Sequence, residues 1–243
     1  HAMHFLLTRP QQDSDRLKAQ LTALGHQVSC APLLRIDYLS DKKITLDNFQ
    51  AVLFTSANGV RAFSAAHKAP DLPCLAVGDA TASEARDAGF QNVTAAGGDV
   101  DRLTELARTR LDPNARPLLH ISGKHQAGDL KGQLTAAGFQ VTTEKLYQAI
   151  KSTTLSPEAL DNLRTGRISH MPFYSPRTAR TFVELARAVG QADLLRNVTA
   201  LCLSSAIADV ISCLDWQNIQ TAPAPDQKSL FRLIDITIEG PRQ

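Results

Sequence analysis

The chain of 243 residues contains no CxxC pair and no Cys/His cluster at zinc-ligand spacing, which removes the common structural zinc sites and dithiol redox motifs. Of its four cysteines, Cys30, Cys74 and Cys202 lie in apolar, strand-like stretches, while Cys213 does not. Buried free thiols in reducing surroundings are expected. Aromatic residues make up only 5%, too few to suggest the stacking platforms that single-stranded nucleic acid needs. A formal net charge of +2 gives no electrostatic reason to expect nucleic acid or a membrane surface as partner. No apolar run approaches the roughly 20 residues that span a bilayer. The N-terminus lacks the regions of a secretory signal, so a cytoplasmic location is expected. GDATAS (Gly78–Ser83) and GKHQAG (Gly123–Gly128) lack the glycine spacing of a phosphate loop or a dinucleotide fingerprint. A nucleotide cofactor is therefore not expected. No GxSxG nucleophile motif is present either.

What the chain does have is a copy of itself. LKAQLTALGHQV (Leu17–Val28) returns as LKGQLTAAGFQV (Leu130–Val141), with nine of twelve positions identical at an offset of 113 residues. FTSANGVRAF (Phe54–Phe63) and FYSPRTARTF (Phe173–Phe182) form a second pair at a similar offset. Solenoid units run to roughly 20–50 residues, so this period signals a duplicated half. Two similar halves predict two lobes with a cleft.

Short apolar runs bounded by turn residues alternate with segments of helical spacing along the whole chain. His4–Thr8 reads as a buried strand, Asp13–Leu24 as a helix stopped by Gly25, and Gln27–Leu33 as the returning strand. Further strands are expected at Ala51–Ser56, Cys74–Val77, Val93–Ala95, Pro117–Ser122, Gln140–Ile150, Met171–Ser175, Ala200–Leu203 and Ile219–Ala222, with helices between them. This alternation predicts parallel sheets covered by helices on both faces. Two extended stretches, Leu33–Leu39 and Leu146–Ile150, occupy equivalent places in the two halves and run past the expected end of their strands. They could pair as a two-stranded link, in which case a compact domain need not coincide with one repeat.

Ligands of open parallel sheets bind beyond the carboxyl ends of the strands, where helix N-termini present N–H groups to anions. The junctions there are Thr8–Pro10, Thr55–Asn58, Gly78–Thr81, Ser122–Lys124, Tyr174–Arg177 and Ser204–Ser205. They are rich in Ser, Thr and Gly. Each hydroxyl taken singly reads first as a helix N-cap. Taken together, several amide-lined corners suit a ligand with many carboxylates or phosphates. Arg9, Lys124 and Arg177 follow strands, where they either pair an anion or remain solvated surface charges. His120 and His170 read as structural histidines rather than bases. Tyr147, in the link, reads as packing or as a proton donor.

Taken in order, TRP (Thr8–Pro10), FTSANGV (Phe54–Val60), VGDATA (Val77–Ala82), LYQ (Leu146–Gln148) and FYSP (Phe173–Pro176) resemble the uroporphyrinogen-III synthase family along essentially the whole chain. The resemblance implies an α/β protein of two similar parallel-sheet, flavodoxin-like domains joined by a two-stranded β link, the second inserted in the first. Domain 1 would take residues 1–36 and 152–243, domain 2 residues 40–146, with links near 33–39 and 146–151. It further implies cofactor-independent cyclisation of hydroxymethylbilane, a linear tetrapyrrole with eight carboxylates, to uroporphyrinogen III. Water leaves ring A, and ring D is inverted through a spiro intermediate. Uncatalysed closure yields the other ring isomer, so the enzyme's task is largely positioning.

By the same resemblance Tyr147 is the candidate to assist departure of the ring A hydroxyl. The resemblance also implies Thr81 and Ser175 as substrate ligands, and together with the strand-end junctions this makes the candidate substrate-binding set Arg9, Ser56, Asn58, Thr81, Ala82, Ser122, Gly123, Lys124, Ser175, Pro176, Arg177, Ser204 and Ser205. The family often carries a glycine and threonines after the strand equivalent to Leu201–Leu203, whereas this chain reads Ser204-Ser205-Ala206-Ile207. The implied partners are the substrate and, transiently, the preceding pathway enzyme, with the chain acting as a monomer. The competing expectation from a different class is a non-catalytic bilobal binding protein for a polyanionic small molecule.

Overall fold

A computed structural model describes residues 2–39, 43–126, 128–190 and 193–239. The domain start expected at residue 40 lies outside the described residues. By contact density the chain separates into two compact units, one formed by the chain up to Arg35 and from Ile150 onward, the other by Ile36–Ala149.

The first unit holds β1 (His4–Leu7), α1 (Gln11–Ala23) and β2 (Gln27–Cys30). The chain then leaves through β3 (Leu34–Tyr38). The second unit runs through β4 (Ala51–Phe54), α2 (Ala57–Ser64), β5 (Cys74–Ala76), α3 (Asp79–Asp87), β6 (Val93–Ala95), α4 (Val100–Arg110), β7 (Leu118–Gly123) and α5 (Leu130–Ala136). The long strand β8 (Val141–Lys151) carries the chain back. The first unit is completed by α6 (Pro157–Arg164), β9 (His170–Phe173), α7 (Pro176–Ala188), β10 (Thr199–Cys202), α8 (Ser205–Ile211), β11 (Asn218–Thr221) and α9 (Gln227–Arg232).

The sheets are ordered β11-β10-β9-β1-β2 and β3-β8-β7-β4-β5-β6. Strand β1 pairs in parallel with β2 as Phe5↔Val28, and β7 pairs with β8 as Leu118↔Val141. Those are the same partners moved along by the repeat offset. Likewise Phe5↔His170 in one sheet corresponds to Ala51↔Leu118 in the other. The segment β1-α1-β2 is therefore the copy of β7-α5-β8, and the segment from β9 to α9 is the copy of that from β4 to α4. Each unit combines the first part of one repeat with the second part of the other. The duplication is tandem in sequence and exchanged in space.

The repeated residues explain their own conservation between copies. Leu17 and Leu21 are buried under α1, and their copies Leu130 and Leu134 under α5. Both helices end on a glycine in the left-handed region, Gly25 at φ 90° and Gly138 at φ 95°, a conformation that a Cβ would strain. The N–H after each glycine bonds back to the carbonyl of Leu21 or Leu134 at 3.1 Å.

Both faces of each sheet are covered, which is why the strands read as unbroken apolar runs. Leu6, Met171 and Phe173 pack beneath α6, α7 and α8, while Phe5, Leu7 and Leu201 pack against α1 and α9. In the other unit Val52, Phe54 and Ile121 meet α2 and α3, and Leu53, Leu75 and Leu118 meet α4 and α5.

The two extended stretches pair with each other as expected: β3 lies beside β8 at the edge of the six-stranded sheet, the Leu39 N–H bonds to the Leu146 carbonyl at 2.9 Å and the Ser152 N–H to the Leu33 carbonyl at 2.9 Å. One expectation is corrected. Cys30 is only half-buried because β2 is an edge strand, whereas Cys74 and Cys202 are buried and their thiols are pushed up to about 12 by desolvation. Cys213 is exposed.

Candidate active site

In the second unit α2 and α5 leave adjacent strands, β4 and β7, toward opposite faces of the sheet. Divergence of this kind opens a crevice at the carboxyl ends of the two strands, the usual ligand position in a doubly wound sheet. A cavity of about 590 Å³ lies there, within the size range of small-molecule sites. Thr55 and Ser56 line it from the end of β4, Ser122 and Gly123 from β7, Asp99 from the start of α4, and Tyr147 from β8.

Tyr147 reaches this position through a bulge. Ser122 pairs with Lys145 and Gly123 with Tyr147, so Leu146 is the extra residue and the tyrosine comes opposite Gly123. A Cβ on Gly123 would stand 2.7 Å from Cε2 and Cζ of the ring, so only glycine accommodates the tyrosine there. The N–H of Lys124 donates to the Tyr147 carbonyl at 2.8 Å and pins the strand. The Tyr147 and Ser56 hydroxyls are 2.7 Å apart, and Ser56 also caps α2 by accepting from the Gly59 N–H at 3.0 Å. Burial raises the Tyr147 phenol above its ordinary value, with the Ser56 hydrogen bond pulling the other way. At neutral pH the phenol is a proton donor, not a base.

Beneath the cavity floor His120, on β7 and 1% exposed, has its Nε2 3.1 Å from the Thr55 hydroxyl oxygen. Desolvation pushes its pKa down to about 4, so the ring is neutral. His120 is thus a core histidine, as the sequence suggested, although only one of its nitrogens has a partner among the described residues.

Four of the residues named from the sequence share the cavity: Ser56, Ser122, Gly123 and Tyr147. Four others in the same unit do not line it. Asn58 Oδ1 accepts from Arg61, whose guanidinium is 3.0 Å from Glu84 on α3. Thr81 is buried in α3. Ala82 is fully buried and its N–H bonds to the Gly78 carbonyl at 3.0 Å, so it has no donor to offer a ligand. The Lys124 side chain is exposed.

The other six belong to the first unit. Ser175 caps α7 by accepting from the Thr178 N–H at 3.2 Å, with Pro176 in the first turn and Arg177 after it. Ser204 caps α8 through the Ile207 N–H at 3.4 Å, and Ser205 is exposed. Arg9 lies over the Tyr174 ring at 4.1 Å and within 3.9 Å of Asp13. Tyr174 is desolvated, which raises its phenol, and donates to Gln227 at 2.7 Å.

Asp99 and His120 were not placed at the site from sequence. The GGD turn at Gly97–Asp99, followed by a helical pattern, was the available signal for Asp99. For His120 there was none, because a histidine within an apolar strand does not reveal its partner.

Fold and crevice together define a class: a pair of doubly wound α/β units with a hydroxyl- and amide-lined small-molecule site. The family described as HEM4, Uroporphyrinogen-III synthase HemD, matches residues 15–232, and the chain belongs to that family. The activity that goes with membership is cyclisation of a linear tetrapyrrole to uroporphyrinogen III, a lyase reaction of haem biosynthesis. Solved structures agree at the level of fold. Uroporphyrinogen-III synthetase from Helicobacter pylori is 16% identical, with a TM-score of 0.61 over 96% of this chain and 98% of that one. A mutant uroporphyrinogen III synthase from Thermus thermophilus is 17% identical, with a TM-score of 0.53 over 90% and 92%. No curated protein sequence matches the chain. Among the described residues no helix is long and apolar enough to cross a membrane, and no His, Cys, Asp and Glu group could hold a metal ion.

Proposed function

We propose that the crevice between β4 and β7 is where the ring A hydroxyl of hydroxymethylbilane departs, with Tyr147 as its proton donor. The observation that carries this reading is the 2.7 Å contact between the Tyr147 and Ser56 hydroxyls inside the cavity. If Ser56 donates to the phenol oxygen, the phenol proton is left for the departing oxygen, which leaves as water. A neutral phenol held protonated by desolvation suits that step. Attack by ring D through its substituted carbon, the spiro intermediate and closure are then matters of holding the chain bent.

The remaining strand-end groups keep the role of substrate ligands in this reading: Arg9, Asn58, Thr81, Ser122, Gly123, Lys124, Ser175, Pro176, Arg177, Ser204 and Ser205. Hydroxyls and helix N-terminal amides bind carboxylates without burying opposing full charges, whose desolvation is costly. The two units are taken as the two domains, linked through 33–39 and 146–151. Because the linear substrate closes to the wrong isomer on its own, the reading includes a cytoplasmic monomer that meets the preceding enzyme transiently.

The test is to supply Tyr147→Phe with enzymatically generated hydroxymethylbilane and measure both rate and isomer. Slower formation of uroporphyrinogen III by a protein with a wild-type melting curve is expected. A wild-type rate would remove Tyr147 from the reaction. Wild-type protein that binds the substrate yet leaves it to close as the type I isomer would point to the binding protein instead.

A further inference from the structure

One polar contact under the cavity has no part in the reaction as described so far. Thr55 lines the cavity at the end of β4, and its hydroxyl oxygen meets His120 Nε2 at 3.1 Å. His120 lies in β7, next to β4, with its Cα in register with that of Leu53. At 1% exposure the imidazole cannot itself reach a ligand. Its Nδ1 is buried and has no hydrogen-bond partner among the described residues.

A neutral imidazole carries one N–H, so the contact allows two tautomers. With the proton on Nδ1, an N–H would be buried without an acceptor, a rare and costly arrangement, and Thr55 would spend its own proton on Nε2. With the proton on Nε2, the N–H is satisfied by the Thr55 oxygen and only a lone pair on Nδ1 goes unused. The second tautomer is the cheaper one. It also fixes the direction of the Thr55 hydroxyl: the oxygen accepts from beneath, and the proton is presented to the cavity.

We propose that His120 is a positioning residue for the cyclisation, holding the Thr55 hydroxyl as a fixed donor to an acceptor oxygen of the tetrapyrrole. That oxygen belongs either to a carboxylate arm or to the departing ring A hydroxyl. The proposal rests on the assignment of the crevice as the reaction site. Desolvation that keeps His120 uncharged at neutral pH supports it, because a protonated ring would place an unpaired charge in the core.

The experiment is a double-mutant cycle on uroporphyrinogen III formation with Thr55→Val, His120→Leu, the pair, and His120→Gln. Each of Thr55→Val and His120→Leu is expected to lower kcat/KM by about tenfold. The double variant is expected to lose about tenfold as well, not a hundredfold, because both changes disable one hydroxyl. His120→Gln, whose amide can donate near the Nε2 position, should recover most of the loss. If the loss falls in KM, the acceptor is a carboxylate arm; if it falls in kcat, it is the leaving hydroxyl. Thr55→Val keeps the shape of the side chain and removes only the hydroxyl, at the cost of the acceptor for the His120 N–H, so wild-type kcat/KM in that variant overturns the proposal even if the His120 variants do not fold. A fully additive double variant, or His120→Leu at wild-type kcat/KM, also overturns it. Tyr147→Phe at wild-type kcat/KM would instead sink the assignment of the crevice.

Discussion

The two units share a sheet order and a strand register, yet the same corner is built for different purposes in each. In the second unit the crevice between β4 and β7 is a cavity floored by Thr55, with His120 beneath it, and edged by Tyr147, Ser56 and Gly123. Carrying these positions across the repeat gives Tyr174 for Thr55, Leu7 for His120, Ser175 for Ser56, Leu34 for Tyr147 and Pro10 for Gly123. Only the helix-capping serine survives. In the first unit the corner between β1 and β9 is taken by the Arg9 guanidinium lying on Tyr174. The cap is a requirement of the fold and is kept in both copies. The tyrosine, the glycine beneath it and the buried histidine occur in only one copy, so the shared architecture does not demand them.

The largest expected effect is on Tyr147. Tyr147→Phe should lower kcat by roughly 10–100-fold with little change in melting temperature. Gly123→Ala comes next: its Cβ would meet the Tyr147 ring at 2.7 Å, so the ring must move, and a drop in kcat on the order of tenfold is expected. Pro10→Ala at the equivalent corner should leave kcat within about twofold, as expected of a substitution clear of the reacting groups. A pair of serines sharpens the contrast. Ser56→Ala and Ser175→Ala each remove an N-cap and should each cost about 1 kcal/mol in denaturant unfolding. Only Ser56→Ala should also lower kcat, while Ser175→Ala should act through KM.

Which parts of this were open to sequence reading follows from where the physics is local. Strand and helix positions came from apolar runs, helix-stop glycines and capping serines, all signals within a few residues. The ends of β4 and β9 read two residues too long from sequence, because Thr55, Ser56 and Ser175 look like strand, whereas the two serines are the extended N-caps of α2 and α7. The exchange of repeat segments between units depends on pairings between residues over a hundred positions apart, such as Phe5 with His170, and no local pattern encodes them. At the site, Tyr147 stood out as a tyrosine in an odd extended stretch. The bulge at Leu146 and the ring's dependence on Gly123 emerge only from the register of β7 and β8. Ala82 looked like a motif residue because it follows Thr81 at a strand end, but the turn of α3 points it into the core.

The last contrast concerns stability against pH rather than turnover. His120 has its pKa lowered from 6.5 to about 4 by burial. The unfolded chain therefore takes up that proton first, and folding stability is lost as pH falls from about 6.5 to about 4. Over that span the loss from this group is on the order of 3 kcal/mol. His120→Leu should flatten that part of the profile in urea unfolding between pH 7 and 4. A variant with the wild-type slope would mean that His120 is charged in the folded protein.

The account stands on the claim that proton donation belongs to one copy of a duplicated corner. The most direct measurement is kcat for uroporphyrinogen III formation by Tyr147→Phe and Tyr174→Phe, assayed side by side on the same hydroxymethylbilane. The predicted result is a loss of tenfold or more in the first and a kcat within about twofold of wild type in the second. Equal losses in both, or the larger loss in Tyr174→Phe, would contradict it.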